Sequence, residues 1–347
     1  MDGRRHTLAV GDLLRPHQHL IESLNNPPAA PYISAMPATT SPPRAAATLW
    51  LGYGACALAG CFWGTGFYFG KIVLADMGVG HMVLYRFFFA CLGLLPFALR
   101  HRPQLNAREW RLLLVASFLG VPVQYLVQFY GLSLTTVSHA SLMVGSMPVL
   151  LGAAATLFAG ERLDRIGWAA LVCSTIGVAL IVLGGGHHAP GGKGPSLIGD
   201  LLVLAALLVS LFWILMNKRL MERHPPAVIT VYGVYSGTIM IGIWVLLQDG
   251  VPPIHGVPLA VWLASAASGL FCTAGSTLLW NWGIHHVPAS RAAVFLNIEP
   301  MLGSYLGVQL LGDRLGPWAW IGGVLILAAA ITLTTRPHGV DTTGLME

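Results

Sequence analysis

Between about residue 49 and residue 335 the chain is a succession of long apolar runs separated by short polar links. The runs fall at roughly 49–75, 82–99, 110–131, 137–159, 165–184, 197–217, 227–247, 259–282, 289–311 and 317–335. Each holds about 20 residues with few charges, which is what an α-helix needs to cross the hydrocarbon of a bilayer. The links carry turn chemistry instead, such as Gly184-Gly185-Gly186 through Pro190 and Gly250 through Pro253. The pattern predicts an all-α, polytopic membrane protein with ten transmembrane helices.

Residues 1–48 break the pattern. They are polar and rich in proline, with Pro27-Pro28, Pro31, Pro37 and Pro42-Pro43. Such a segment buries too little apolar surface to order itself and is expected to be a disordered cytoplasmic tail. It lacks the apolar core of a signal peptide. Met36 is an alternative start to Met1. Residues 336–347 form a second, short tail.

The apolar blocks repeat. Shifting the chain along itself by 152 residues puts Gly131 on Gly283, Ser138 on Ser290, Pro148 on Pro300, Gly160 on Gly312 and Trp168 on Trp320. Gly160-Glu161-Arg162-Leu163 falls on Gly312-Asp313-Arg314-Leu315. The seam is the glycine-rich link after the fifth run, so 49–186 forms one repeat and 197–335 the other. Repeats of this kind are the usual architecture of secondary transporters, with the solute bound between the halves.

Orientation follows from lysine and arginine, which concentrate on the cytoplasmic side. With the N-terminus inside, Arg4, Arg5, Arg15, Arg44, Arg100, Arg102, Arg108, Arg111, Arg162, Arg165, Lys218, Arg219, Arg223, Arg291 and Arg336 fall inside. That is 15 of the 19 basic residues, leaving Lys71, Arg86, Lys193 and Arg314 outside. Without the four in the tail the balance is still 11 to 4. Both termini are then cytoplasmic. Five helices per repeat is an odd number, so the second copy must enter the membrane upside down. The expected fold is two inverted five-helix repeats.

Composition agrees. The chain is 55% apolar and 10% charged over 347 residues, against about a quarter charged for a soluble domain. The net charge of +5 is spread between apolar runs rather than gathered in a patch, which argues against nucleic acid as a partner. The expected partners are a small-molecule solute and the lipid bilayer, and a homodimer is compatible with the sequence. Cys56, Cys61, Cys91, Cys173 and Cys272 lie in apolar runs without CxxC spacing and read as packing residues. His187-His188 and His285-His286 lie in links. Helical neighbours point about 100° apart and rarely chelate one ion, so no metal is expected. No Walker motif, Ser-His-Asp set or paired-carboxylate motif occurs, so neither a cofactor nor catalysis is expected.

Several motifs carry a resemblance. They are Phe62-Trp63-Gly64 with Lys71 and Arg86; Tyr130-Gly131-Leu132, Ser138 and Pro148; and Gly160-Glu161-Arg162-Leu163 with Gly167 and Gly177. The second copy has Gly199-Asp200, Phe212-Trp213, Asn217-Lys218-Arg219, Glu299-Pro300 and Gly312-Asp313-Arg314-Leu315. In this order and spacing the chain resembles the drug/metabolite transporter superfamily, in its EamA-type ten-helix branch, over about residues 49–335. The resemblance implies export or exchange of small metabolites such as amino acids, sugar conjugates or drug-like cations. The family commonly has Glu where this chain has Asp313, which leaves the role of that carboxylate open.

Glu299 is the candidate proton-coupling residue. It is expected about ten residues from each end of the ninth run, and a carboxylate there costs several kcal/mol unless it is paired, protonated or hydrated. The alternative is a protonated acid bonded to a neighbouring backbone carbonyl. Pro148 and Pro300 each free a carbonyl four residues earlier, at Val144 and Leu296, and are expected to kink their helices at the solute site. The alternative is a kink that serves packing.

The candidate solute cavity draws on Trp63, Gln124, Tyr125, Gln128, His139, Tyr232, Tyr235, Trp280, Asn281 and Asn297. Gln124 and Gln128 share a helical face, and Tyr130 is expected beside them. Together these residues offer hydrogen bonds and aromatic surface to a polar solute. Lys71 and Arg86 are expected near the outer face. Lys71 could attract an anion or snorkel to headgroups. Arg86 is expected to face inward, with Asp76 as its partner.

Gly60 and Gly64, Gly66 and Gly70, Gly233 and Gly237, and Gly303 and Gly307 have the spacing that lets helices pack backbone to backbone. Two other functions fit less well: an uncoupled facilitator of the same fold, and a membrane-embedded lipid-modifying enzyme, for which charged or His-rich motifs at one face are missing.

Overall fold

The computed structural model describes residues 42–150, 153, 165–183, 195–287 and 293–335. The chain divides into two units, Met1–Ala47 and Thr48–Glu347, and the helical bundle belongs to the second. Its helices are α1 (Pro42–Val73), α2 (Val79–Arg100), α3 (Ala107–Leu134), α4 (Val137–Leu150), α5 (Arg165–Leu183) and α6 (Leu197–Met221). They continue with α7 (Pro226–Gln248), α8 (Leu259–Gly269 through Ser276–His286), α9 (Ile298–Leu311) and α10 (Pro317–Thr335). Six of these are long and apolar enough to cross a membrane by length and composition.

α1 begins at Pro42, inside the segment expected to be a disordered tail. Proline loses nothing in a first helical turn, where the N–H would have no partner, and the following Arg-Ala-Ala-Ala favours helix. The rest of that tail, the Gly160-Glu161-Arg162 link, Gly184-Gly185-Gly186 and the last twelve positions lie outside the described residues.

The outer faces are apolar at helical spacing. Phe88, Leu92, Leu95 and Leu99 are exposed on α2, Trp168, Val172 and Ile176 on α5, and Ile239, Ile243 and Leu247 on α7. In a bilayer these stripes meet lipid. The interior combines large apolar side chains, among them Phe87, Phe129, Met82, Leu132 and Met143, with small residues and a few polar groups.

Packing between repeat-equivalent helices establishes the inversion. Along α4, Ser138 lies against Gly307, Ser141 against Gly303 and Gly145 against Pro300, so the two helices run in opposite directions. α2 and α7 behave likewise. Gly80 faces Asp249 and Leu84 faces Gly242. The Cys91 carbonyl accepts from Tyr235, and that of His101 from Tyr232. On α5 and α10, Gly177 backs onto Gly322, while Ala170 shares a buried cluster with Ala329. Each helix is antiparallel to its own copy, which is what an axis in the membrane plane requires.

Local details repeat as well. Gly131 of α3 sits against the Gly199 carbonyl of α6, and its counterpart Gly283 of α8 sits against the Gly52 carbonyl of α1. Both α3 and α8 contain a π-helical segment, at Leu119–Val123 and Leu270–Gly275, at matching places in the two copies. Pro122 removes an N–H from the first, and glycines flank the second. π-Turns of this kind are frequent at functional sites.

These contacts allow two checks. A Cβ on Gly131 would lie 2.8 Å from the Gly199 carbonyl oxygen, whereas one on Gly54 would meet nothing within 4 Å. Gly131→Ala is expected to destabilise the protein by about 1–3 kcal/mol and Gly54→Ala to leave it unchanged, as read by thermal melting in detergent. In a cysteine-free background, Arg162→Cys and Arg314→Cys are expected to react with an impermeant maleimide from opposite sides of the membrane. Labelling from one side would contradict the inversion.

Candidate functional site

α2 carries Arg86 about two turns from its N-terminus. The residue is 4% exposed. A guanidinium inside the bilayer is expensive unless its donors find partners. Its Nε donates to Thr273 Oγ1 at 2.9 Å, and Nη2 makes a long contact of 3.4 Å to the Cys272 carbonyl. Both acceptors belong to the π-segment of α8, and Thr273 passes its own proton to the Ser268 carbonyl at 3.2 Å. Two rings of α3 cover the guanidinium face, with centroids 5.1 Å (Tyr125) and 5.4 Å (Phe129) from Cζ. Phe87 meets Tyr125 edge-on at 4.8 Å, so the cradle is rigid as well as cation-attracting.

Arg86 is therefore inward-facing, as expected, but not with the expected partner. Asp76 is exposed in the turn after α1, and the ring cradle and the π-segment take its place. α1 approaches through Gly66, where a Cβ would lie 3.5 and 3.6 Å from Nη1 and Nη2.

Glu299 is the nearest acid in electrostatic terms and interacts with Arg86, Tyr125 and Cys272 through space. It is half-buried, and no described residue gives its carboxyl a hydrogen bond. Its backbone lies against Gly64, whose Cβ would sit 3.0 Å from the Glu299 carbonyl oxygen.

The setting of Glu299 differs from the sequence expectation in one respect. The helix of this region starts at Ile298, after a 3₁₀ segment Ala293–Asn297, so Glu299 and Pro300 stand in a first helical turn. The same break occurs in the first copy. α4 turns at Gly145 and Ser146, whose amides bond three residues back to Leu142 and Met143, and helix resumes just before Pro148. Each proline thus opens a new helical segment, where its missing N–H does no harm.

The remaining candidates separate. Trp63 and Trp280 face each other across α1 and α8, with centroids 5.5 Å apart, and Tyr125 joins the cradle. Asn297 is buried at the 3₁₀–helix junction. Gln124 and Gln128 are buried on the stripe of α3 that continues to Gly131, which packs on α6. Asn281 ties α8 to α7 through Thr230 at 3.2 Å. Tyr235 bonds the Cys91 carbonyl at 2.8 Å, and Tyr232 bonds the His101 carbonyl at 2.9 Å near one end of the bundle. Tyr130, expected beside the glutamines, is 56% exposed on the outer face. Asn281, Tyr232 and Tyr235 knit helices together, because a lone polar group in lipid gains from a neighbour, whereas Gln124 Oε1 is buried without a hydrogen bond.

Lys71 and His139 belong to a network at the end that holds the α3–α4 link. Lys71 Nζ donates to the carbonyls of Leu132 and Thr135, each at 2.7 Å. It thereby satisfies carbonyls that a helix C-terminus leaves open, and places a cation at the negative end of the dipole. Lys71 is thus half-buried, with its ammonium engaged by these carbonyls. Asp200, in the first turn of α6, accepts from Thr135 Oγ1 and lies 3.1 Å from His139 Nδ1. Asp313 accepts from the Ser138 amide and hydroxyl, both at 2.9 Å, and caps α4. The open question about Asp313 is answered: the shorter acid reaches a serine of the other repeat. Asp200 and Asp313 were visible only as motif letters, and nothing in the sequence marked Thr273.

Comparisons with known proteins fit this geometry. Residues 50–183 and 197–335 each match the EamA-like transporter family. A protein of Archaeoglobus fulgidus named an uncharacterized transporter is 24% identical over 284 residues, covering 81% of this chain and 96% of its own. A probable terminal-alkyne amino-acid exporter of Streptantibioticus cattleyicolor is 24% identical over 287 residues, covering 80% and 91%. A solved crystal structure at 18% identity shares the fold with a TM-score of 0.57, covering 83% of this chain and 98% of that one.

The network makes a stability prediction. Asp200→Leu leaves the buried His139 and Thr135 without their acceptor and is expected to cost about 3 kcal/mol or more. Asp313→Ala removes a cap and is expected to cost about 1 kcal/mol. Both are read as melting shifts of the purified protein, and equal shifts would contradict the ranking.

Proposed function

Because the chain belongs to the EamA-like transporter family, we propose that this multi-pass membrane transporter exports small metabolites, such as amino acids or drug-like solutes, by alternating access. The setting is the bacterial inner membrane, with both termini in the cytoplasm. Glu299 is its proton-coupling residue. The observation that carries this reading is an acid deep in the bundle, half-buried and without a hydrogen bond from the described residues, in electrostatic reach of Arg86. Such a group binds a proton, water or a solute cation in preference to remaining bare.

Three further features support the reading. The inverted repeat offers two conformations related by exchange of the halves. The breaks before Pro148 and Pro300 lie where α4 and α9 meet, so each half has a helix break at that contact. A relative of similar length is named as a probable amino-acid exporter. A second reading, an uncoupled facilitator or exchanger, draws on the Arg86–Glu299 interaction, since a pair that compensates itself needs no proton.

Counterflow into proteoliposomes separates the two. Labelled amino acids, sugars and aromatic cations are offered with and without an imposed pH gradient. Coupled export predicts accumulation of one class that follows the gradient and falls at least about tenfold in Glu299→Gln, the scale of losing one charge-assisted interaction. Saturable exchange indifferent to pH in both proteins supports the facilitator.

A further inference from the structure

We propose that Arg86 is the anchor for a carboxylate of the transported solute and that, with Glu299 as its opposite pole, it selects zwitterionic solutes of the α-amino acid type. The inference rests on the transporter reading above and deepens it by naming the solute class. It starts from the donor inventory of the guanidinium. Arginine has five N–H donors in a planar fork that matches a carboxylate edge. Of these, Nε is taken by Thr273 and Nη2 makes one long contact to the Cys272 carbonyl; the guanidinium also interacts with the Tyr125 hydroxyl, and Nη1 makes no close hydrogen bond to a described residue.

Every group that touches Arg86 is uncharged. Two aromatic faces hold its plane, and a hydroxyl and a carbonyl hold its Nε side. This fixes the guanidinium in orientation and leaves its charge without a contact anion. The Nη edge faces α1. The residue opposite it on α1 is Gly66, and a Cβ there would sit in ordinary contact with both Nη atoms. Glycine therefore leaves room for a methyl-sized group beside the fork, with the Cys272 Cβ also 3.5 Å from that position.

Glu299 supplies the other pole. Its charge and that of Arg86 interact, but the two form no ion pair within 4.0 Å. Opposite charges held apart in a low-dielectric interior make a dipole that a solute of opposite polarity completes. The carboxylate goes to Arg86 as a bidentate, charge-assisted pair and the ammonium goes to Glu299. A solute with only one charge would bury a pole without its complement. Trp63 and Trp280, on the two helices that also supply Gly66 and the π-segment, offer apolar surface to a side chain.

The test uses the full-length purified protein. Ligand-induced thermal stabilisation is measured with alanine, leucine, methionine and phenylalanine, each beside its methyl ester and its N-acetyl derivative. At least one free amino acid is expected to stabilise the wild type, with ester and N-acetyl forms at least about tenfold weaker, the scale of one charge-assisted contact. Arg86→Lys is expected to lose most of the preference for acid over ester, because an ammonium lacks the fork. Gly66→Ala has room for its methyl group and is the control against misfolding. It is expected to weaken the free acid while leaving the ester unchanged. Glu299→Gln is expected to erase the preference for a free amine.

Esters equal to acids in the wild type overturn the inference, as does an acid preference that survives in both Arg86→Lys and Gly66→Ala. Failure of all four amino acids to bind overturns it too. Counterflow of an aromatic cation in that last case would keep the transporter reading standing while the zwitterion site falls.

Discussion

Helices in a bilayer gain nothing from hiding apolar surface from one another, because lipid is as apolar as they are. What holds this bundle is close backbone approach through small residues. Gly177 backs onto Gly322, Gly131 onto Gly199, Gly283 onto Gly52, and Gly303 and Gly307 onto serines of α4. The contacts occur between a helix and its own copy or at matching places in both copies. The inverted symmetry and the packing are thus one fact. A glycine that lets α3 touch α6 in one half has a counterpart that lets α8 touch α1 in the other.

Polar groups inside such packing are costly, and several of them are gathered into networks. At the end that holds the α3–α4 link, Lys71, Thr135, Asp200 and His139 share one network, and Asp313 crosses from the second repeat to cap α4. At the opposite end, Glu109 closes a capping box with Asn106 and lies 3.1 Å from His224. Between them sits the least settled polar chemistry of the bundle. Arg86 has its face and one edge held, and Glu299 stands in a first helical turn without a hydrogen bond from the described residues.

The π-segments link symmetry to chemistry. The one in α3 lies against Gly237 of α7 through Val121, and the one in α8 presents Cys272 and Thr273 to Arg86 of α2. The same deformation in both halves serves packing in one and holds a charge in the other. A duplicated fold becomes a specific site in this way: the backbone is repeated and the side chains are not.

The sequence by itself determined the number and placement of the spans, the duplication and its inversion. Length, charge asymmetry and the matched Pro148 and Pro300 are local or additive signals, readable along one dimension. It also singled out Glu299, because a lone acid in an apolar run is expensive wherever the run ends up. Only the tertiary structure decided the partners. Arg86 looked toward Asp76 in sequence but meets Thr273, which is 187 positions away. Gln124 and Gln128 are buried on the stripe that runs on to Gly131, the residue that meets α6. Which face of an apolar helix turns inward is set by contacts with other helices. When every face is apolar enough for lipid, the hydrophobic pattern holds no record of that choice.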